Sequence, residues 1–231
     1  MPPQWYDRYM EALASLPLDK STTRSIKKRT ILLYQGEVPR QAYLVQKGAV
    51  KVYRLGRNGE EQIIGFRMPG DVFPETWIFG RISSALYYYE ALEDCEIITA
   101  ERAVLREHIR LHPEVEADLL DYFINSHTTQ LLQITALEQS RAADKLLLML
   151  YYLLFGYTKK LHDQQYELKF HLTHTTLGNL TGLTRETTSV ELGKLRKKGI
   201  VSYTGTQFII HKDALLSHLS KESFSDVQIA P

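Results

Sequence analysis

Residues 172–199 constrain the fold of this chain more than any other segment. They read LTHTTLGNLTGLTRETTSVELGKLRKKG, and leucines recur at helical spacing on both sides of Gly182. Thr173 and Thr184 each stand where a helix N-cap is expected, because a threonine hydroxyl can accept a hydrogen bond from an unpaired N–H of the first turn. Thr187 follows Thr184 at the position where a glutamate would complete a capping box. The segment therefore predicts two short helices joined by a glycine-containing turn.

The second of these helices is predicted to be polar on one side. Its apolar residues, expected to face inward, are Val190, Leu192 and Leu195. Polar residues are expected on the other side near its N-terminus, and these are Arg185, Glu186, Thr188 and Ser189. This arrangement is typical of a helix-turn-helix, whose second helix enters the DNA major groove and reaches base edges with its first residues. An ordinary helical hairpin with a solvated polar face is the alternative.

The residues that follow favour the DNA interpretation. A basic run ends the second helix, at Lys194, Arg196, Lys197 and Lys198. Two short apolar runs, 199–203 and 207–210, then flank Gly205 and predict a two-stranded wing. With the order Thr-Arg-Glu-Thr after Gly182-Leu183, this region resembles the recognition helix of the CRP/FNR family of bacterial transcription regulators.

The resemblance implies DNA contacts at the matching positions. Arg185 would donate a bidentate pair to a guanine, and Glu186 would accept from a cytosine amine. The other implied contacts are to phosphates from Thr173, Thr184 and Thr187, to base edges or a thymine methyl from Thr188 and Ser189, and non-specific from Lys194 and Lys197. Val190 stands where the family has a second arginine, so the family's half-site is not assumed for this chain.

The charge distribution suggests two modules. Residues 1–139 contain 16 Lys and Arg against 19 Asp and Glu, whereas residues 140–231 contain 12 against 8. A basic second half suits a partner that carries phosphates. The N-terminus lacks a basic segment followed by an apolar run, and no 18-residue apolar stretch occurs, so the sequence predicts a cytoplasmic protein without a membrane span.

The first half predicts an antiparallel β-sandwich or a jelly roll. A short amphipathic helix is expected over residues 3–20. Six apolar or alternating runs then follow at close spacing, at 31–34, 42–45, 50–53, 62–66, 86–90 and 96–99. Asn58-Gly59 between two of them is a strong hairpin signal. The segments Gln35–Glu37, Tyr43–Val52 and Pro69–Phe73 are similar to the β-roll of cyclic-nucleotide-binding domains, which extends the family resemblance over nearly the whole chain.

A long helix is predicted between the two modules, after a short one over residues 101–110. Ala117, Leu120, Ile124, His127, Leu131 and Ile134 recur at alternating spacings of three and four, the a/d pattern of a coiled coil. This regularity favours a homodimer, and the resemblance implies dimerisation through this helix and a two-fold symmetric DNA site. A helix packed only on its own domain is the alternative. His127 is interpreted either as a pH-sensitive pair across the axis or as a tolerated residue bonded to Ser126 or Thr128.

The ligand of the β-roll is left open. Cyclic-nucleotide binders of the family carry Gly-Glu followed by Arg-Ser/Thr-Ala, whereas this chain has Pro74-Glu75 and Ala85–Tyr87, with only Arg81 nearby. Cyclic nucleotide is therefore disfavoured. A cluster of aromatic residues predicts either ordinary core or an effector pocket lined by Glu75, Trp77, Tyr87, Tyr88 and Tyr89. Control by a partner or by abundance, without any small effector, is the remaining alternative.

Metal and redox functions are disfavoured by the residues present. The only cysteine, Cys95, cannot support an iron–sulfur cluster, which needs several thiolates. All eight histidines lie at position 108 or later, which argues against haem or a metal-dependent enzyme in the β-roll. Cys95 follows two acidic residues that would raise the pKa of its thiol, so a structural role is expected. No cofactor, metal site or catalytic set is predicted.

The complete prediction is an α+β protein in three parts. Residues 1–113 form the β-roll sensor, 114–138 the dimerisation helix and 139–231 a winged helix-turn-helix domain. The predicted function is transcription regulation by a DNA-binding homodimer, with RNA polymerase as a further partner. The alternative is a ligand-binding β-roll protein whose C-terminal domain binds a protein instead of DNA; a basic surface on the recognition helix would favour DNA, and an apolar patch a protein.

Overall fold

The computed structural model describes residues 21–80 and 82–221, and the chain divides into two compact units. Their boundary lies between Ile124 and Asn125, inside the longest helix. The helix predicted over residues 3–20 and the side chain of Arg81 lie outside the described residues.

The first unit contains eight strands in the part of the chain that the structure describes. They are β1 Ser21–Ile26, β2 Ile31–Leu33, β3 Ala42–Lys47, β4 Val50–Leu55, β5 Glu61–Arg67, β6 Val72–Phe73, β7 Tyr88–Ala91 and β8 Cys95–Ala100. One antiparallel sheet has the order β1-β8-β3-β6 and the other β2-β7-β4-β5. The predicted β-roll is confirmed.

The hairpin signal at Asn58-Gly59 is confirmed by the pairing of β4 with β5. Gly59 has a φ of 81°, a left-handed conformation that glycine adopts without a steric cost. Leu55 pairs with Glu61 beside this turn, and the register runs from there to Val50 opposite Arg67. The turn therefore sets which residues of the two strands face the core.

The sheet that contains β3 separates two apolar cores, because successive residues of a strand point to opposite faces. Val45 belongs to the core between the two sheets, where Phe73 stacks between Tyr43 and Tyr89 at centroid distances of 5.1 and 4.8 Å. Leu44 belongs to a second core, shared with helical residues. This alternation makes the unit a three-layer structure: sheet, sheet and helices.

Among the described residues, α1 Glu75–Ile78 lies between β6 and β7, and the helices α2 Arg102–Leu111 and α3 Pro113–Leu137 follow β8. The predicted short and long helices are thus confirmed. One side of α3 packs on the second core through Val115 and Leu119. The predicted a/d residues remain exposed in the single chain, and these are Ala117, Leu120, Ile124, His127, Leu131 and Ile134.

The second unit consists of helices around a small antiparallel sheet. Its helices are α4 Ala142–Tyr157, α5 His174–Thr181, α6 Arg185–Lys197 and α7 Lys212–Lys221. Its strands are β9 Thr158–His162, β10 Gln165–Leu168, β11 Val201–Thr204 and β12 Gln207–His211, in the order β11-β12-β10-β9. Helix α4 supplies the core, with Leu146, Met149 and Leu153 fully buried.

Two strands lie outside the apolar runs from which strands were predicted. Thr158–His162 forms β9 and pairs with β10, although the run 158–165 is mainly polar. Strand β1 was not predicted at all, because STTRSI shows no apolar alternation. Both are edge strands, whose backbone hydrogen bonds to a neighbouring strand hold them in place without a buried side-chain face.

Candidate nucleic-acid interface

The two helices of the predicted helix-turn-helix are capped as expected. The backbone N–H of Thr176 donates to the Thr173 hydroxyl at 2.9 Å, and that of Thr187 donates to the Thr184 hydroxyl at 3.1 Å. The Thr184 hydroxyl in turn donates to that of Thr187 at 3.0 Å, so threonine occupies the capping-box position without a carboxylate. Both N-cap predictions are confirmed.

The turn between α5 and α6 depends on two glycines. Gly182 has a φ of 69° and ends α5 in the left-handed conformation. Gly178 lies where the helices approach each other, since a Cβ added there would stand 2.8 Å from the carbonyl oxygen of Leu183 and 3.3 Å from the Thr188 hydroxyl. The close approach fixes the angle at which α6 leaves the turn.

The inward face of α6 differs from the prediction at two positions. Leu192 and Leu195 are buried as expected. Val190 is not: its side chain is 59% exposed, because it lies on the side of the helix opposite those leucines. Thr188 was predicted to reach base edges, but it is fully buried and its hydroxyl donates to the Thr184 carbonyl at 2.8 Å. Thr188 therefore supports the turn and cannot reach DNA.

The outward face of α6 carries the remaining predicted contacts. Arg185 and Glu186 are exposed in the first turn, where a recognition helix contacts bases. Lys197 is exposed in the last turn. The Lys194 ammonium is paired with Glu191 at 2.6 Å, although its side chain remains 61% exposed and its charge accessible.

His174 is a functional candidate that the sequence prediction missed. Its Nδ1 lies 2.8 Å from the Ser189 hydroxyl, and its ring meets Tyr203 edge-on at 5.2 Å. Burial, with the nearby charge of Arg185, lowers the pKa of His174, so the imidazole is neutral near pH 7. The residue thus joins α5, the recognition helix and the wing. Its partners are 15 and 29 residues away in sequence, and no local pattern indicates them.

The predicted wing is confirmed as the hairpin of β11 and β12, which turns at Gly205. Tyr203 stacks on the buried Phe208 at 4.8 Å. The Arg196 guanidinium lies 4.9 Å from the Tyr203 ring centroid, in a cation–π contact. The last turn of α6 therefore packs on the wing, and the Arg196 side chain contacts Tyr203 within the protein.

The first unit holds a partly buried polar cluster at the end of β5. Arg67 pairs with Glu75 at 2.8 Å, and both side chains are 18% exposed. Asp71 accepts from the backbone N–H of Met68 at 2.7 Å and from Tyr122 of α3. Burial, opposed by the charge of Arg67, raises the pKa of Asp71 to about 6. The cluster therefore connects the β-roll to the first half of α3.

The five residues predicted to line an effector pocket do not all converge. Glu75 and Tyr89 lie close together, because both interact with Arg67, and Tyr87 is near Tyr89. Tyr87 and Tyr89 pack in the core between the sheets, whereas Trp77 belongs to the core shared with the helices. Tyr88 points to the opposite face of β7 and stacks on Tyr53 at 5.1 Å. Strand alternation separates Tyr88 from Tyr87 and Tyr89, and Trp77 lies in the other core, so the five residues do not line a single cavity. The Glu75 carboxylate is held in its ion pair with Arg67.

Comparisons with known proteins match both units. The model of the cyclic nucleotide-binding domain family matches residues 23–112, and that of the Crp-like helix-turn-helix domain matches residues 140–219. The chain belongs to the CRP/FNR family. It is a DNA-binding transcription regulator and not an enzyme, and regulators of this family bind DNA as dimers.

Individual regulatory proteins resemble the chain over most of its length. The anaerobic regulatory protein of Pasteurella multocida is 26% identical over 206 residues, which span 89% of this chain and 74% of that protein. The fumarate and nitrate reduction regulatory protein of Vibrio cholerae is 27% identical over 203 residues, or 87% and 80% of the two chains. The structure of FixK2 from Bradyrhizobium japonicum matches with a TM-score of 0.68 at 22% sequence identity. The match covers 91% of this chain and 98% of the FixK2 chain.

The surroundings of Cys95, the only cysteine of this CRP/FNR protein, agree with a structural role. Cys95 is buried, and its single S–H lies within hydrogen-bonding reach of the carbonyls of Ala49 and Glu93, with sulfur–oxygen distances of 3.3 and 3.2 Å. Burial is the main cause that raises the pKa of this thiol, and the charge of Glu93 adds to it. Within residues 21–80 and 82–221, no cluster of three or more His, Cys, Asp or Glu could hold a metal. No helix in the described chain has the length and apolarity to cross a membrane.

Proposed function

We propose that this protein is a homodimer that binds a two-fold symmetric duplex site through α6. The observation that carries the proposal is the outward face of α6, which presents Arg185 and Glu186 from a helix whose start is fixed by the Thr184 cap. A helix in this setting can place its first turn against base edges in the major groove. The single exposed Val190 is no apolar patch, so the surface suits DNA better than a protein partner.

The proposed base contacts come from the first turn of α6. Arg185 donates two hydrogen bonds to a guanine, and Glu186 accepts from a cytosine amine, because these are the pairings that major-groove geometry favours. Thr173, Thr184 and Thr187 contact phosphates at the two helix N-termini, where unpaired N–H groups and the helix dipole attract anions. Lys194 and Lys197 add affinity that depends on salt concentration.

The proposed dimer forms along α3. Leu120, Ile124, Leu131 and Ile134 are each about half exposed or more in the single chain. Four large apolar side chains at a/d spacing are costly to leave in water, and a second copy would bury them in a coiled-coil seam. His127 lies at the middle of this seam and would face its counterpart across the two-fold axis.

Cyclic nucleotide is not the proposed effector. The Glu75 carboxylate is neutralised by Arg67, and no arginine stands at the position that binds the cyclic phosphate in the family's nucleotide binders. Calorimetric titration with cyclic AMP and cyclic GMP should give no saturable heat, and neither nucleotide should change DNA affinity. A micromolar binding isotherm would contradict this part of the proposal.

We further propose that the protein acts in the cytoplasm and that it regulates transcription through contact with RNA polymerase.

The first experiment is selection of bound sequences from a random duplex pool. It uses the purified wild-type protein and, in parallel, the Arg185→Ala variant, both at a stated salt concentration. A two-fold symmetric site enriched by the wild type, and lost or degenerate with the variant, supports the proposal. Absence of enrichment both with and without added cell extract overturns it.

A further inference from the structure

Val190 occupies a central place on the outward face of the recognition helix. At 100° per residue it lies on the side away from the buried Leu192 and Leu195, one turn after Glu186 and one turn before Lys194. Its side chain is 59% exposed. Packing within the protein therefore gives no reason for a β-branched residue there, and in a helix valine is less favourable than alanine by about 0.5 kcal/mol.

The polar residues beside Val190 are engaged elsewhere. The Thr188 hydroxyl is buried and bonded to the Thr184 carbonyl. The Ser189 hydroxyl is bonded to His174 at 2.8 Å. Of the three consecutive side chains in the middle of the helix, Val190 is the one that projects outward without a hydrogen-bonding group.

The next turn of α6 also leaves room for close approach. A Cβ added to Gly193 would meet no atom of the protein within 4 Å. A glycine in a helix interior costs about 1 kcal/mol relative to alanine, and here the fold does not require it. Because Gly193 has no side chain, the helix surface next to Val190 is recessed, and another molecule can approach the valine closely.

The major groove offers one apolar group to such a side chain. Valine neither donates nor accepts a hydrogen bond, and among the four base pairs only those with thymine present a methyl group at the groove floor. We propose that Val190 contacts the C5-methyl of a thymine in each half-site and selects an A·T pair beside those read by Arg185 and Glu186. This inference rests on the proposed function, since it needs α6 in the groove.

Replacement of thymine by deoxyuridine tests the contact directly, because uracil lacks the methyl group and keeps every hydrogen-bonding atom. In the selected site, each symmetric pair of thymines is replaced in turn and the dissociation constant is measured at fixed salt. Loss of one buried methyl corresponds to about a fourfold weaker complex per half-site, or about fifteenfold for both. Wild-type protein should show this loss at one symmetric position.

The Val190→Ala variant identifies the residue responsible. It should bind the thymine site more weakly by a similar factor and become nearly indifferent to deoxyuridine there, whereas Lys197→Ala should bind more weakly yet keep the full sensitivity. Selection with Val190→Arg should shift that position toward G·C. Equal thermal unfolding midpoints would show that the variants are folded.

The outcomes separate the two proposals. A symmetric site whose affinity is indifferent to every methyl group, or a Val190→Ala variant that keeps the wild-type sensitivity, overturns the role of Val190 alone. Failure to obtain any symmetric site overturns the proposed function, and the role of Val190 with it.

Discussion

The Nδ1 atom of His174 lies 2.8 Å from the hydroxyl of Ser189, joining the first residue of one helix of the DNA-binding unit to the middle of the next. The His174 ring is also held between α6 and the aromatic pair Tyr203 and Phe208 of the wing. These contacts tie the recognition helix to α5 and to the wing.

His174→Ala is therefore expected to weaken specific DNA binding about fivefold, because a hydrogen bond of this kind contributes about 1 kcal/mol. Ser189→Ala should cause a similar loss, and the double variant should lose little more than either single one. Affinity for the selected site is the measurement, with an unrelated duplex at low salt as the control. Additive losses in the double-mutant cycle would show that the two side chains act separately.

Arg185→Ala should cost about 1–3 kcal/mol of specific binding and relax the base preference at one position of the half-site. Lys197→Ala is the matched comparison, since it removes a charge from the same exposed face of α6. It should weaken binding to all sequences alike and reduce the slope of log K against log salt by about 1. If Arg185→Ala instead weakened every sequence equally, Arg185 would be a phosphate contact.

Two glycines of the helix-turn-helix should respond in opposite ways to alanine. Gly193→Ala should raise the free energy of unfolding by up to about 1 kcal/mol, because the new methyl meets no protein atom, and it should weaken DNA binding by standing in the groove. Gly178→Ala should destabilise the protein by about 1–3 kcal/mol, because its methyl would press on the Leu183 carbonyl and the Thr188 hydroxyl. Chemical denaturation and DNA titration measure both effects. Unchanged DNA affinity for Gly193→Ala would show that the groove does not approach this turn.

Asp71 makes stability depend on pH. Its pKa is about 6 in the folded protein, above the ordinary value of 3.8, so the folded state holds the proton more tightly than the unfolded state does. The contribution of Asp71 to stability is therefore full below about pH 4 and is lost as the pH rises through about 6, by an amount on the order of 3 kcal/mol. Asp71→Asn keeps an oxygen that can accept from the Met68 N–H, and it should remove most of the change in stability between about pH 4 and about pH 6. Denaturation midpoints of both proteins from pH 4 to pH 7 test it, and a variant with the wild-type slope would assign the effect to another group.

Leu131→Glu in α3 should disrupt the dimer, since it places two carboxylates in the proposed apolar seam, and should raise the dimer dissociation constant by at least about tenfold. Leu55→Glu is the control, because Leu55 is similarly exposed, at 47% against 49%, but lies on the β-roll. Sedimentation velocity over a concentration series measures the effect. A Leu131→Glu variant that remains dimeric would place the interface elsewhere.

Local patterns predicted the elements that depend on local forces. The Thr173 and Thr184 caps, the left-handed Gly182 and the Asn58-Gly59 hairpin each use interactions within a few residues, and each is present. Prediction was weaker where a side chain's environment comes from distant segments. The helix α6 was predicted correctly, but Val190 was predicted to face inward and Thr188 outward, and the structure shows the reverse. Both residue types are tolerated on either face of a helix, so the sequence alone did not decide between them.

The sequence by itself determined the class of the protein, since the order of β-roll, long helix and helix-turn-helix follows from hydrophobic periodicity, turn residues and caps. Tertiary structure decided which groups are available for function. It buried Thr188, exposed Val190, paired Arg67 with Glu75 and brought His174 to Ser189. The physical reason is that exposure and hydrogen-bond partners depend on contacts between residues distant in the chain, and only the packed fold brings these together.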